Sequence, residues 1–409
     1  MKRGNVMVGQ SGGPTSVINA SLVGVFKTAK DEGCDIVYGM RNGIEGLLEE
    51  RYINMSDYIK NDLDIELLKR TPSSFLGTCR YKLPSADKSP ELYEKLFSIL
   101  EGLDVKYFFY IGGNDSMDTI MRLSEYGNKK GSEIRFMGVP KTIDNDLALT
   151  DHTPGYGSAS KYIATAMKEV IRDAKTYPSD SVTIVEVMGR NAGWLTASSA
   201  LSKAEDCAGP DLIYLPERVF DHDRFLARVQ EAKKRQKAVV IAVSEGIKTA
   251  DGVYVCEANK KSNVTDAFGH MLLGGTALYL SDFVSYNLGF KSRGIVLSTL
   301  QRCASHLVSR RDITEAYAVG GDAVIWALKG ETGKMVAFDR ISNDPYSVIT
   351  TVKDIGLVAN KEKRVPDEWI TNDGTYVSAA FDAYARPLII GELSPFMVDG
   401  LPRHLFIDK

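Results

Sequence analysis

The chain has 409 residues, 44% of them hydrophobic, and its 50 Lys and Arg stand against 53 Asp and Glu for a formal net charge of −3. That length exceeds what one core ordinarily serves, so two lobes are expected, and the balanced charge gives neither nucleic acid nor a membrane surface a field to bind. No run approaches the ~20 apolar residues of a membrane helix, and the apolar stretch near the N-terminus is too short for a signal peptide. Five dispersed cysteines (Cys34, Cys79, Cys207, Cys256 and Cys303), without a CxxC pattern, read as reduced, metal-free thiols of a cytoplasmic protein.

In chain order, "NVMVGQ" reads as a strand, and residues 15–33 as a helix with Ile18, Leu22, Val25 and Ala29 along one face. Residues 105–113 form a strand buried on both faces, and a second apolar run ends at Pro140. The clearest helix covers residues 158–177, where Tyr162, Ile163, Ala166, Met167, Val170, Ile171 and Ala174 repeat at helical spacing. Further strands at 181–189, 211–216, 238–246 and 293–299 are separated by helical patterns at 192–205, 222–235 and 264–287. The alternation predicts an α/β chain with mostly parallel sheets and crossover helices. Residues 340–373 are expected to be the least regular, because Pro345 and Pro366 interrupt weak patterns, and the closing stretch from 377 carries no evident chemistry.

Ligands of open α/β sheets bind at the carboxyl ends of strands, so the loops after strands hold the candidates. In "GQSGGPTS" (9–16) small residues let backbone N–H groups approach an anion ahead of a helix, although a plain tight turn fits the same letters. In "YIGGNDSMDT" (110–119) Asn114, Asp115 and Ser116 open a helix, either as capping residues or as partners of magnesium beside a phosphate. "PKTIDND" gathers Lys141, Thr142, Asp144 and Asp146, either as an Asx-rich turn or as a site joining a cation, a hydroxyl and acids. "EVMGRNAGW" sets Arg190 after Gly189 at a strand end. "GYGSAS" (155–160) comes near a dinucleotide fingerprint but follows a polar loop, which argues against a nicotinamide enzyme.

Taken in order, "SGGPTSVINA", "FLGTCR", "IGGNDS", "PKTIDND", "VEVMGRNAGWL", "VSEG" and "LQR" resemble the phosphofructokinase family as far as about Gly330. The resemblance implies two Rossmann-like α/β lobes with helices on both faces and the active site in the cleft between them. It assigns 1–154 plus about 300–350 to a larger donor-binding lobe, and 155–299 plus about 351–409 to a smaller sugar-phosphate-binding lobe with a C-terminal extension. It implies phosphoryl transfer to the 1-hydroxyl of fructose 6-phosphate in a homodimer or homotetramer.

Family roles fall on matching positions. Asp144 is implied as the general base, and Lys141, Thr142 and Arg190 as its catalytic company around the transferred phosphate. Gly13, Arg80, Asp115, Ser116 and Lys141 are implied as donor-binding, and Asn114, Asp115 and Asp146 as the surroundings of Mg2+. Asp146, Met188, Gly189 and Glu245 are implied as sugar contacts with Thr142, Asp144 and Arg190, and Arg302 with Arg293 of a neighbouring subunit as the clamp on the 6-phosphate. ATP-using members carry glycines at the positions of Asp115 and Lys141; this charged pair is the family's signature for pyrophosphate and for a reversible reaction. Asn114 replaces the usual metal-binding Asp, Thr299 a His of the 6-phosphate site, and Val23 an effector-site Arg, while Ser181 lies near the place of a subunit-crossing Arg. The open alternatives are an ATP-dependent enzyme, one preferring sedoheptulose 7-phosphate, and a catalytically weakened regulatory member.

Overall fold

The computed structural model describes residues 3–259 and 273–407. The chain opens with β1 (Asn5–Gln10), α1 (Ile18–Asp31), β2 (Val37–Met40), α2 (Gly43–Leu48), β3 (Tyr52–Asn54), α3 (Asp62–Arg70) and α4 (Pro90–Gly102). It continues through β4 (Val105–Gly112), α5 (Asn114–Lys130), β5 (Arg135–Pro140) and α6 (Tyr156–Ala174). Then come β6 (Ser181–Val187), α7 (Trp194–Ala197), β7 (Leu212–Tyr214), α8 (His222–Arg235), β8 (Ala238–Ser244), α9 (Thr276–Leu288) and β9 (Lys291–Val296). After α10 (Leu300–Cys303) and α11 (Arg310–Leu328) the chain forms β10 (Lys334–Asn343) and β11 (Tyr346–Asp354), followed by α12 (Ile355–Val358) and α13 (Ala379–Ala385). The start of the helical pattern read at 264–287 lies outside the described residues, and its described part is α9.

Seven strands make one sheet in the order β11-β10-β5-β4-β1-β2-β3, and four make a second, β7-β8-β6-β9. The second is parallel throughout, whereas the first has antiparallel pairs only at β2–β3 and β10–β11. Parallel pairs need crossover connections, and these place helices on both faces. On β4, Phe109 and Ile111 pack toward α1 and α11, while Phe108 and Tyr110 pack toward α4 and α5. On β6, Val185 and Val187 meet α6, and Val182 and Ile184 meet α8 and α9. That two-sided burial is why these strands read as unbroken apolar runs.

Helix ends follow local chemistry. Asp221 accepts from the Arg224 N–H at 2.7 Å and starts α8, whose last turn carries Lys233, Lys234 and Arg235 against the negative end of the helix dipole. Helices α1 and α11 approach backbone to backbone: a Cβ on Gly24 would lie 2.1 Å from the Tyr317 carbonyl, and one on Gly320 would lie 2.1 Å from that of Ser21. Val23, next to Gly24 on α1, is fully buried.

The region 340–373 corrects the expectation of irregularity, since its first part is an antiparallel hairpin that completes the seven-stranded sheet. β11 is the edge strand and alternates only between half-buried and exposed residues, so its apolar pattern is weak. Pro345 sits in the turn between the two strands, where it removes no ladder hydrogen bond.

Candidate active site

The carboxyl ends of β1, β4 and β5 on one side, and of β6 and β8 on the other, open onto a cleft of about 590 Å3. The loop after β1 is held by its neighbour: Gly12 N–H donates to the Cys79 carbonyl at 3.2 Å, and Thr78 Oγ1 donates to the Gly12 carbonyl at 2.7 Å. Two buried amides set that neighbour in place. The Gln10 Oε1 accepts from Leu76 N–H at 3.0 Å, and the Asn19 Oδ1 accepts from Phe75 N–H at 3.0 Å. Arg80 reaches the cleft from this tied loop.

At the end of β4 the chain turns directly into α5. A Cβ at Gly112 would fall 1.8 Å from Ser116 Oγ, so only glycine lets the helix begin this close to its strand. Asn114, Asp115 and Ser116 thereby line the cleft from the first turn of α5.

After β5, Lys141 is buried and its ammonium donates to the Gly13 carbonyl at 2.7 Å, which joins the first and third loops. Burial lowers its pKa to about 8, with Arg302 and Arg80 adding repulsion and the carboxylates of Asp144 and Asp146 opposing. Thr142 Oγ1 accepts from Asp144 N–H at 3.1 Å and donates to Asp144 Oδ2 at 3.3 Å, so the local turn and the site share one group. Burial raises both acids above the ordinary carboxylate range. Lys141 restrains the rise at Asp144, whereas the charges of Asp144 and Glu362 add to it at Asp146, which reaches about 7.

From the second sheet come Met188, Arg190 and Glu245. Glu245 Oε1 accepts from Gly189 N–H at 3.3 Å, and burial pushes its carboxyl up to about 7 against that hydrogen bond. Gln301 Oε1 accepts from Met188 N–H at 3.3 Å, which fixes the short helix that carries Arg302 into the cleft. Burial and the nearby Arg80 lower the pKa of Arg302.

Of the residues implied by the sequence as catalytic or as binding donor, sugar or metal, the cleft gathers all but two. Gly189 stands behind the lining as the donor to Glu245. Arg293 lies on β9, exposed, with Asp173 at 4.0 Å as its ion-pair neighbour in a separate shallow pocket against α6. Asn360, Lys361 and Glu362 line the cleft without having been anticipated. They follow α12, and they are held by Lys363 N–H donating to the Asp146 carbonyl at 2.7 Å and by Asn360 Nδ2 donating to Asp118 Oδ1 at 3.1 Å. No periodicity or motif marks that segment, so its place is visible only once the chain is folded.

Among the described residues no group of three or more His, Cys, Asp or Glu is arranged to hold a metal by itself. The donor set beside Asp146 nevertheless suits a magnesium ion that draws its remaining ligands from phosphate and water. The Asn114 Oδ1 is buried without a hydrogen-bond partner, while its Nδ2 lies 3.5 Å from Asp146 Oδ2.

Residues 5–324 match the family model described as "Phosphofructokinase". The chain is 41% identical over 407 residues to a pyrophosphate–fructose 6-phosphate 1-phosphotransferase of Halomonas elongata, with 98% of this chain and 96% of that one covered. It is 31% identical to an ATP-dependent 6-phosphofructokinase 3 of Streptomyces coelicolor, covering 87% and 95%. The crystal structure of a pyrophosphate-dependent phosphofructokinase from Marinobacter aquaeolei superposes with a TM-score of 0.87 at 37% identity, covering 100% of this chain and 98% of the other.

Proposed function

The chain belongs to the phosphofructokinase family, and from that premise we propose that it transfers a phosphoryl group reversibly between pyrophosphate and the 1-hydroxyl of fructose 6-phosphate. The observation that carries the donor is the charged pair in the donor half of the cleft, Asp115 in the first turn of α5 and Lys141 tied to Gly13. A nucleotide would bring its α-phosphate toward the Asp115 carboxylate, and like charges at close range in a sheltered cleft are costly. Pyrophosphate has no third phosphate, and the Lys141 ammonium supplies it with positive charge. Two relatives that match 98% of this chain at 41% identity carry the name of the same reaction.

In the forward direction the 1-hydroxyl attacks the distal phosphorus of pyrophosphate and phosphate leaves, while Asp144 accepts the hydroxyl proton. A carboxylate suffices because the proton departs only as the new P–O bond forms. Its buried setting makes it a stronger base than a solvated aspartate. Lys141, Arg190 and the Gly13 backbone face the charge that spreads over the transferred group. Family members generally work with a divalent metal; we assign Mg2+, held by Asp146 with Asn114 and Asp115. Its chemistry there is to neutralise phosphate oxygens.

Glu245 and Met188 are assigned to the sugar, and Arg302 to the 6-phosphate as a forked donor. Arg293, outward on β9, is assigned to the cleft of a second copy, which requires a homodimer or homotetramer. The lobe built on the seven-stranded sheet, residues 1–154 with about 300–350, is assigned to the donor, and the remainder to the sugar phosphate. We place the enzyme in the cytoplasm, with its five free cysteines in keeping; no helix among the described residues is long and apolar enough to cross a membrane.

Pyrophosphate and a sugar phosphate ester differ modestly in transfer potential, so the reaction should run from either side. Incubation with fructose 1,6-bisphosphate and phosphate should yield pyrophosphate and fructose 6-phosphate. Failure to form either product, with the forward reaction active, would contradict the reversible reading.

A further inference from the structure

We propose that Tyr384, on α13, is a positioning residue for the segment that carries Asp144 and Asp146, an inference that rests on the roles assigned to those acids above. The Tyr384 hydroxyl accepts from Asn145 Nδ2 at 2.8 Å and donates to the Asp151 carbonyl at 2.6 Å. One atom thus ties the residue between the two acids to the far limb of the same loop. Asn145 has no exposed surface and sits at φ 56°, a left-handed conformation that is uncommon outside glycine and persists where surrounding contacts fix it. Its other amide atom is also engaged, since Oδ1 accepts from Thr153 N–H at 3.1 Å. The carboxylates on either side of this fixed residue, Asp144 and Asp146, both line the cleft.

The tyrosine is itself held from several directions. Its ring lies 5.3 Å from that of Trp194 and 5.4 Å from that of Trp369, and the Arg340 guanidinium sits 4.7 Å from its centroid. Arg340 also donates to the Tyr384 carbonyl at 2.9 Å and pairs with Asp151 at 2.8 Å. Lys363 adds donors to the carbonyls of Thr150 and Asp151 at 3.0 and 2.7 Å. All three anchors, Arg340, Lys363 and Tyr384, lie beyond residue 324, where the match to the family model ends. The segment after residue 324 therefore braces the catalytic loop from outside the part that the family model matches.

Tyr384→Phe removes the hydroxyl and keeps the ring. Phe381→Leu serves as control, because Phe381 is fully buried on the same helix against Trp194 and makes no hydrogen bond to the loop. Assays are run well below the melting temperature of both variants, alongside amide hydrogen exchange of residues 145–153. Loss of one buried hydrogen-bond bridge should lower the Tyr384→Phe kcat about tenfold, with the KM for sugar and donor within about twofold. Exchange across 145–153 should quicken in that variant alone, and Phe381→Leu should keep kcat within about twofold of wild type. A Tyr384→Phe enzyme with wild-type kcat, an equal loss in Phe381→Leu, or unchanged exchange in the loop would each overturn the proposal. A wild type inactive on pyrophosphate would contradict the reaction rather than the anchoring, which the exchange rates read by themselves.

Discussion

Asp144 is surrounded by opposing influences: burial resists its ionisation, Lys141 favours it, and Thr142 donates a hydrogen bond to the charged form. A carboxylate so placed is neither solvated nor permanently neutralised, which suits the proposed base role of removing a proton in step with phosphoryl transfer. Asp144→Asn preserves size and the backbone contact to Thr142 but removes basicity. It should lower kcat by at least ~100-fold while the KM for fructose 6-phosphate changes little. A parallel loss of sugar affinity would move Asp144 from the base to the binding role. Lys141 was recognisable in the sequence as a cation among acids, whereas its bond to the Gly13 carbonyl was not. That contact joins residues 128 positions apart and depends on the parallel alignment of β1, β4 and β5.

Among the elements, α1 and α11 leave no room for a side chain where they cross. With a would-be Cβ 2.1 Å from a backbone carbonyl, Gly320→Ala cannot be relieved by a side-chain rotation, and the two helices must move apart. We expect destabilisation of at least ~3 kcal/mol, at the upper end of overpacking costs, read as a lowered midpoint in urea. An unfolding free energy within ~0.5 kcal/mol of wild type would mean that the helices do not pack this closely.

The buried cluster linking the catalytic loop to α11 predicts a pH dependence. His152 lies 2.8 Å from both Asp151 and Glu315, and although burial opposes its charge, these two carboxylates raise its pKa above the usual value. Its contribution to stability is therefore complete below about pH 6.5 and is lost as the pH climbs through the raised folded value. Asp151, depressed by His152 and Arg340 against burial, contributes above about pH 4 and fails as the pH falls through its own lowered value. The melting-temperature advantage of wild type over His152→Gln should be larger at pH 6 than at pH 9. An advantage that is the same at both would remove the charged histidine from the account.

Much of the element pattern was legible, and for definite reasons. α8 coincides with the sequence reading because Asp221, a 3.6-residue apolar period and a basic last turn all mark the same span. β4 and β6 read clearly because both of their faces are covered. β11 was obscure because an edge strand buries little, and the segment 360–363 because it has no period at all. Its role arises from a return across the cleft that only tertiary structure specifies.

At the scale of the whole molecule, two sheets present their carboxyl ends to one cleft, and loops after five strands contribute to a single site. This placement explains why the chemistry was readable in short motifs although the chain is long: every motif but FLGTCR, which comes after α3, follows or ends a strand whose direction is fixed by parallel pairing. Asp115 and Lys141 both line the part of the cleft formed by the seven-stranded sheet, where donor choice is proposed to be made. The central claim is that this pair admits pyrophosphate and excludes ATP. The measurement that tests it most directly is kcat/KM for pyrophosphate and for ATP, in wild type and in Asp115→Gly, at saturating fructose 6-phosphate and Mg2+. Wild type should favour pyrophosphate by at least ~100-fold, the scale set by about 3 kcal/mol of charge repulsion, and Asp115→Gly should narrow that ratio by admitting ATP. A wild-type enzyme that favours ATP would contradict the account outright.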